Sequence, residues 1–160
     1  MEKLYAGISI ENVIQSYSDT LIRIAFQNTK SLADSEDIVQ DAYIKLHKCK
    51  TTFETEEHLK AWLIRVTINQ TKDLHRSAWY RKVVPINEDL EFLAPEEQTV
   101  MEEIFQLKEE ERNIIYLYYY EGYSIDEIAK IMQKKSNTVS SKLQRARKKL
   151  KNIIIEWREE

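Results

Sequence analysis

"YSIDEIAKIMQKKSNTVSSKLQRARKKL", residues 123–150, decides the fold. Ser124 and Glu127 stand at the spacing of a capping box, a common helix start. "SIDEIAKIM" (124–132) then places Ile128 and Ala129 on one dry face. After a turn of about three residues, a second helix runs from Ser136 to Leu150. Val139, Leu143, Ala146 and Leu150 recur along it at helical spacing. Two short helices joined so tightly make a helix-turn-helix, and Ala129 is small where they approach. With the apolar set buried, Ser140, Ser141, Lys142, Gln144, Arg145, Lys148 and Lys149 point outward. The second helix of this motif enters the DNA major groove. There Ser140, Ser141 and Gln144 suit base edges, at about 1–3 kcal/mol for each good bidentate pair. Lys134, Lys135, Lys142, Arg145 and Lys148 suit phosphates, which position without specifying. The bland alternative is a basic helix that is merely well solvated.

Charge counts weigh against that alternative. Residues 130–151 hold nine Lys/Arg and no Asp/Glu. Residues 60–82 hold six and one, whereas residues 83–111 hold one and ten. The formal net charge of −3 conceals this segregation. Two basic blocks set between acidic ones point to two separate anionic contacts.

Composition fixes the class. In 160 residues there are two glycines and two prolines, far below ordinary usage, and 42% of the chain is hydrophobic. An all-α chain with a true core follows. Nothing approaches the ~18 apolar residues of a membrane span, and no signal peptide is evident, so no membrane insertion is expected. The single cysteine, Cys49, forms no internal disulfide, and a reducing cytoplasm is the natural home.

Three more helices precede the motif's domain. Val13, Ile14, Tyr17, Leu21, Ile24 and Ala25 mark one over about residues 11–29. In "LADSEDIVQDAYIKLHK" (32–48), Asp34 or Ser35 is the expected cap, with Ile38, Val39, Ala42, Tyr43 and Leu46 dry. The polar loop "CKTTFETEE" breaks the pattern. A third helix is expected from His58 to Arg81, with Leu59, Trp62, Leu63, Val66 and Leu74 inward. "VVPINEDLEFLAPEEQ" (83–98), with both prolines and much acid, is the best boundary. Beyond it, Val100, Ile104 and Leu107 mark a helix, and "EERNIIYLYYYEG" another that Gly122 ends.

Both halves together resemble the extracytoplasmic-function group of bacterial RNA polymerase sigma factors. "DSEDIVQDAYIKL" (34–46) resembles the group's region-two helix, and "HLKAWLIRVTINQTKDLHR" (58–76) its Trp-Leu…Arg…Asn…Asp…Arg pattern. Residues 123–150 resemble region four, with Thr138-Val139 and Arg145-Ala146-Arg147 in the family's places. The resemblance spans about residues 11–150. Gln133 and Asn137 replace frequent glycines, and Ser140 replaces a frequent basic residue.

The resemblance implies two small helical domains, residues 1–82 and 99–160, joined by an acidic linker at 83–98. Glu36, Asp37, Gln40 and Asp41 would dock on the clamp helices of core polymerase's largest subunit. Phe53, Asn69, Lys72, Arg76, Trp79, Tyr80, Arg81 and Lys82 would capture and open the minus-ten element. Opening DNA costs a few kcal/mol per extracted base, which aromatic faces and a basic groove offset. Each aromatic has a packing alternative: Phe53 within its loop, Trp79 and Tyr80 against the second domain. Lys135, Asn137, Thr138, Ser140, Ser141, Lys142, Gln144, Arg145 and Lys148 would meet the minus-thirty-five element. The second domain would also touch the flap of the second-largest subunit. The linker is either a nucleic-acid mimic in the polymerase channels or a plain spacer. An anti-sigma protein and a stress or envelope response are further expectations.

An enzyme reading finds little. His47, His58 and His75 form no metal set with Cys49, and there is no phosphate loop or nucleophile elbow. No catalytic residue, metal or cofactor is expected. The rival function is a stand-alone helix-turn-helix regulator that never binds polymerase; the region-two pattern over residues 34–82 speaks against it.

Overall fold

The computed structural model describes residues 2–75 and 90–150. Among the described residues the regular structure is helical, apart from one isolated bridge between Tyr5 and Ile8. The chain divides into two compact units, Met1–Ile86 and Asn87–Glu160. No described helix is long and apolar enough to cross a membrane.

The first unit packs three helices: α1 (Ile10–Thr29), α2 (Leu32–Lys48) and α3 (Glu56–His75). Ser9 caps α1 by accepting from the Asn12 N–H, and Lys30 ends it in the left-handed conformation at φ 59°. That tight exit places Ser31, not Asp34 or Ser35, at the start of α2. The Ser31 hydroxyl accepts from the Asp34 N–H at 3.2 Å. Ser35 is instead buried, donating back to the Ser31 carbonyl at 2.7 Å. Leu21, Ile24 and Phe26 of α1 meet Ile38, Ala42 and Leu46 of α2 and Leu59, Leu63, Ile64 and Ile68 of α3 in the core. Each of the Leu, Ile and Phe side chains stabilises by about 1.5–3 kcal/mol on burial.

Two inward stripes differ from the expected ones. Ile14 is exposed and Tyr17 only half-buried. On α3, Trp62, Val66 and Leu74 are partly exposed, while Thr67 and Thr71 are fully buried. Thr71 satisfies its hydroxyl within the helix by donating to the Ile68 carbonyl at 2.6 Å, whereas the Thr67 hydroxyl is buried without a hydrogen-bond partner.

The second unit contains a 3-10 turn (Leu90–Phe92), α4 (Pro95–Ile104), α5 (Glu109–Ile115), α6 (Ile125–Met132) and α7 (Ser136–Lys149). The stretch expected as linker therefore holds ordered elements. Leu90 and Leu93 are buried, and Pro95 begins α4, where its missing N–H costs nothing. Residues 83–89 lie outside the described residues. After α5 the backbone widens into a π segment, Tyr116–Tyr120, where the Glu121 N–H donates to the Tyr116 carbonyl at 3.3 Å. Gly122 follows at φ +75°.

The turn between α6 and α7 closes without glycine. Lys134 N–H donates to the Ala129 carbonyl at 2.9 Å, and Gln133 N–H to the Lys130 carbonyl at 3.3 Å. This is a Schellman motif, and Gln133 sits in its left-handed position at φ 55°. A side chain there strains against the backbone. Gln133→Gly should therefore stabilise the second unit by up to about 1 kcal/mol, despite the looser unfolded chain. A thermal melt should rise by a few degrees; an unchanged or lower midpoint would refute the strain.

Candidate nucleic-acid interface

The helix-turn-helix is held by local and tertiary bonds together. Ser124 and Glu127 form both halves of the capping box: the Ser124 hydroxyl accepts from Glu127 N–H at 3.1 Å, and Glu127 Oε1 accepts from Ser124 N–H at 3.0 Å. The bond from the Ser124 backbone N–H holds the Glu127 carboxyl below its ordinary pKa. Ser136 at the start of α7 donates to Asp126 Oδ1 at 2.6 Å, tying the first turn of α7 to the first turn of α6. Ile128, Ala129 and Met132 bury against α7, which contributes Val139, Leu143, Ala146 and Leu150 to the same core.

Burying that stripe turns the opposite side of α7 to solvent. Asn137, Ser141, Gln144, Arg145 and Lys148 are exposed, and their spacing puts them on one face. Lys135 is exposed just before the helix. Thr138 and Ser140 are half-buried on the two flanks. Lys142 is on the Thr138 flank, partly exposed, and ion-paired to Glu110.

Arg145 and Arg147 do different things. Arg147 turns inward, donating to the Tyr119 hydroxyl at 2.7 Å with its guanidinium 5.3 Å from the Tyr118 ring centre. It ties α7 to the π segment, whereas Arg145 faces outward.

Sequence reasoning missed the acidic partners of this basic helix. Glu110 of α5 pairs with both Lys134 (3.1 Å) and Lys142, and Glu111 with Lys149 (3.1 Å). A cleft of about 320 Å³ lies among Lys108, Glu109–Glu111, Lys142, Arg145 and Lys149. The run "EEE" at 109–111 was visible in the sequence, but its pairing across 32 residues to Lys142 was not.

In the first unit, Glu36, Asp37, Gln40 and Asp41 are all exposed on α2, opposite Ile38, Val39, Ala42 and Leu46. Asn69 is exposed and Lys72 partly exposed on α3. Phe53 is 6% exposed, edge-on to His58 and Trp62 with ring centres 5.2 and 5.6 Å away. A cleft of about 490 Å³ opens beside it, lined by Lys3, Tyr5, Cys49, Thr51 and Thr52 among others. The N-terminal segment carries no sequence pattern that marks its contact: Lys3 donates to the carbonyls of His47 and Cys49 at 2.9 and 3.2 Å, a cation on the C-terminal end of α2. Arg76, Trp79, Tyr80, Arg81 and Lys82 lie outside the described residues.

Known proteins divide along the same lines. Sigma-70 region 2 matches residues 13–81, and Sigma-70 region 4 matches residues 97–150. The ECF RNA polymerase sigma-E factor of Haemophilus influenzae is 31% identical over 144 residues, covering 76% of this chain and 75% of the relative. The RNA polymerase sigma factor YlaC of Bacillus subtilis is 25% identical over 170 residues, covering 95% of each. A solved structure of the sigma factor RpoE in complex with the anti-sigma factor NepR from Bartonella quintana shares the fold. Its TM-score is 0.74 at 21% identity, over 91% of this chain and 96% of that one. Two helical units, a basic helix-turn-helix and these relatives converge: the chain belongs to the extracytoplasmic-function group of the sigma-70 RNA polymerase sigma factors.

Proposed function

We propose that this sigma factor divides its work between its two units as follows. The exposed face of α2, with Glu36, Asp37, Gln40 and Asp41, docks on the clamp helices of the largest polymerase subunit. Three carboxylates on one wet face suit a basic partner surface. Asn69, Lys72 and the basic residues that follow α3 take the minus-ten element. Phe53 reaches a flipped base only if its loop releases it from Trp62; as packed, it supports the wall of the adjoining cleft.

α7 reads the minus-thirty-five element, with Asn137, Ser141 and Gln144 toward base edges and Lys135, Arg145 and Lys148 toward phosphates. The observation that carries this reading is the outward face of α7, which joins amides, a hydroxyl and two cations and has no carboxylate. The second unit also meets the flap of the second-largest subunit, and the acidic stretch after α3 lies along the polymerase's nucleic-acid channels. The chain works in the cytoplasm. An anti-sigma protein holds it inactive until a stress or envelope signal arrives; support comes from the Bartonella quintana relative, which was solved with its anti-sigma factor.

Transcription by sigma-free core polymerase, with the purified chain added, tests the whole. The expected result is initiation at discrete sites on a library of promoter fragments, with shared elements near minus ten and minus thirty-five. A stand-alone regulator would bind duplex without polymerase and start no transcript, and that outcome would overturn the reading.

A further inference from the structure

We propose that Glu110 is an internal counter-anion, which occupies Lys134 and Lys142 until DNA phosphate displaces it and thereby suppresses non-specific binding. The inference rests on α7 being the recognition helix.

α5 opens on three consecutive carboxylates. An acidic first turn needs no function of its own, because it complements the helix dipole. The dipole does not, however, require distant lysines to converge there. Lys134 comes from the turn before α7 and Lys142 from the helix itself, yet both reach the one Glu110 carboxylate. Lys142 lies on the flank of α7 next to the outward face. In a major groove, the flanks of a recognition helix face the phosphate rows. Lys142 therefore has two competing anions, one inside the domain and one on DNA.

Exposure separates a releasable pair from a fixed one. The Glu110 side chain is 26% exposed, so it can be rehydrated when its lysines leave. Glu111 is 6% exposed, and removing Lys149 would strand a buried charge. The Glu111–Lys149 pair stays; the Glu110 pairs exchange. A duplex of unrelated sequence offers Asn137, Ser141 and Gln144 few base contacts to offset that exchange. A matching promoter element does, so Glu110 widens the gap between specific and non-specific affinity.

The test is elution of the full-length chain from immobilised duplex DNA of mixed sequence in a KCl gradient, with binding constants measured over a range of salt. Glu110→Gln should elute at higher KCl than wild type. Its log–log salt slope should steepen by about 0.9 for each lysine released, up to about 1.8 for two. Glutamine keeps the shape and the accepting oxygen of Glu110 at a partly solvated site, so the variant should keep its fold, which an unchanged thermal melt checks. Glu102→Gln removes the same charge from an exposed site on α4 and should shift elution less, with no change of slope. Equal shifts in the two variants, no shift, or weaker binding by Glu110→Gln would each overturn the proposal. Arg145→Ala separates the two layers of argument. If it elutes with wild type, the recognition-helix reading fails. If it elutes earlier while Glu110→Gln is unmoved, only the counter-anion fails.

Discussion

Replacing Arg145 and Lys148 together with alanine is expected to weaken binding to every duplex and to flatten its salt dependence by about 1.8 in log–log slope. Each cation that neutralises a phosphate releases condensed counterions, so the loss is similar whatever the sequence. Both side chains are exposed on the outward face of α7, away from Val139, Leu143 and Ala146, so the helix should keep its packing. Gln144→Ala makes the contrast. An amide that reads a base edge contributes about 1–3 kcal/mol at one base pair and nothing at others. Its loss should relax preference at one position and leave the salt slope unchanged. Fluorescence anisotropy with a panel of single-substitution duplexes measures both. If the two variants behave alike, base and phosphate roles on α7 have been assigned wrongly.

How far these roles were legible depends on how local their causes are. The capping box of α6 involves residues three apart, and pattern alone located it. The outward face of α7 follows from its apolar spacing, which four residues of one helix fix. The start of α2 was harder. Ser31, Asp34 and Ser35 are all competent caps, and the left-handed exit at Lys30 selects the first. On α3, Thr67 and Thr71 are polar by type yet fully buried, so the apolar pattern does not mark them. The π segment depends on how the tyrosines pack: Tyr116 stacks on Tyr120 with ring centres 5.1 Å apart, and Tyr119 receives Arg147. No local signal separates it from ordinary helix.

Charge shows the same limit at longer range. Nine cations in residues 130–151 mark a basic surface, but their number does not show what each one faces. Three of them, Lys134, Lys142 and Lys149, are paired within the domain, and Arg147 is turned onto tyrosines. In the free domain these four are held by side chains of the same unit, whereas Arg145 and Lys148 are exposed on the outward face of α7. Phe53 illustrates the converse. A loop aromatic beside a tryptophan suited either packing or base contact, and its burial against Trp62 makes packing the resting state.

Reversing Asp37 and Asp41 to lysine is expected to abolish co-migration with sigma-free core polymerase on gel filtration while leaving duplex binding by α7 intact. The two carboxylates stand four residues apart on the exposed face of α2, so they present to a partner together. Truncating one member of a desolvated interfacial charge pair costs about 2–5 kcal/mol, and opposing like charges adds to that. At 1.4 kcal/mol per tenfold, the double reversal should weaken docking by roughly two to three orders of magnitude or more. Asp41→Ala alone should give a smaller loss in the same direction. Neither residue touches the core of Ile38, Ala42 and Leu46, so the first unit's melting should move by less than about 0.5 kcal/mol. Adding Arg145→Ala to the double reversal should reduce duplex binding without further effect on docking, because the two surfaces share no residue and belong to different units. Undiminished co-migration of the Asp37/Asp41 variant would place the polymerase contact elsewhere on the first unit and leave the acid face of α2 as a solvated surface.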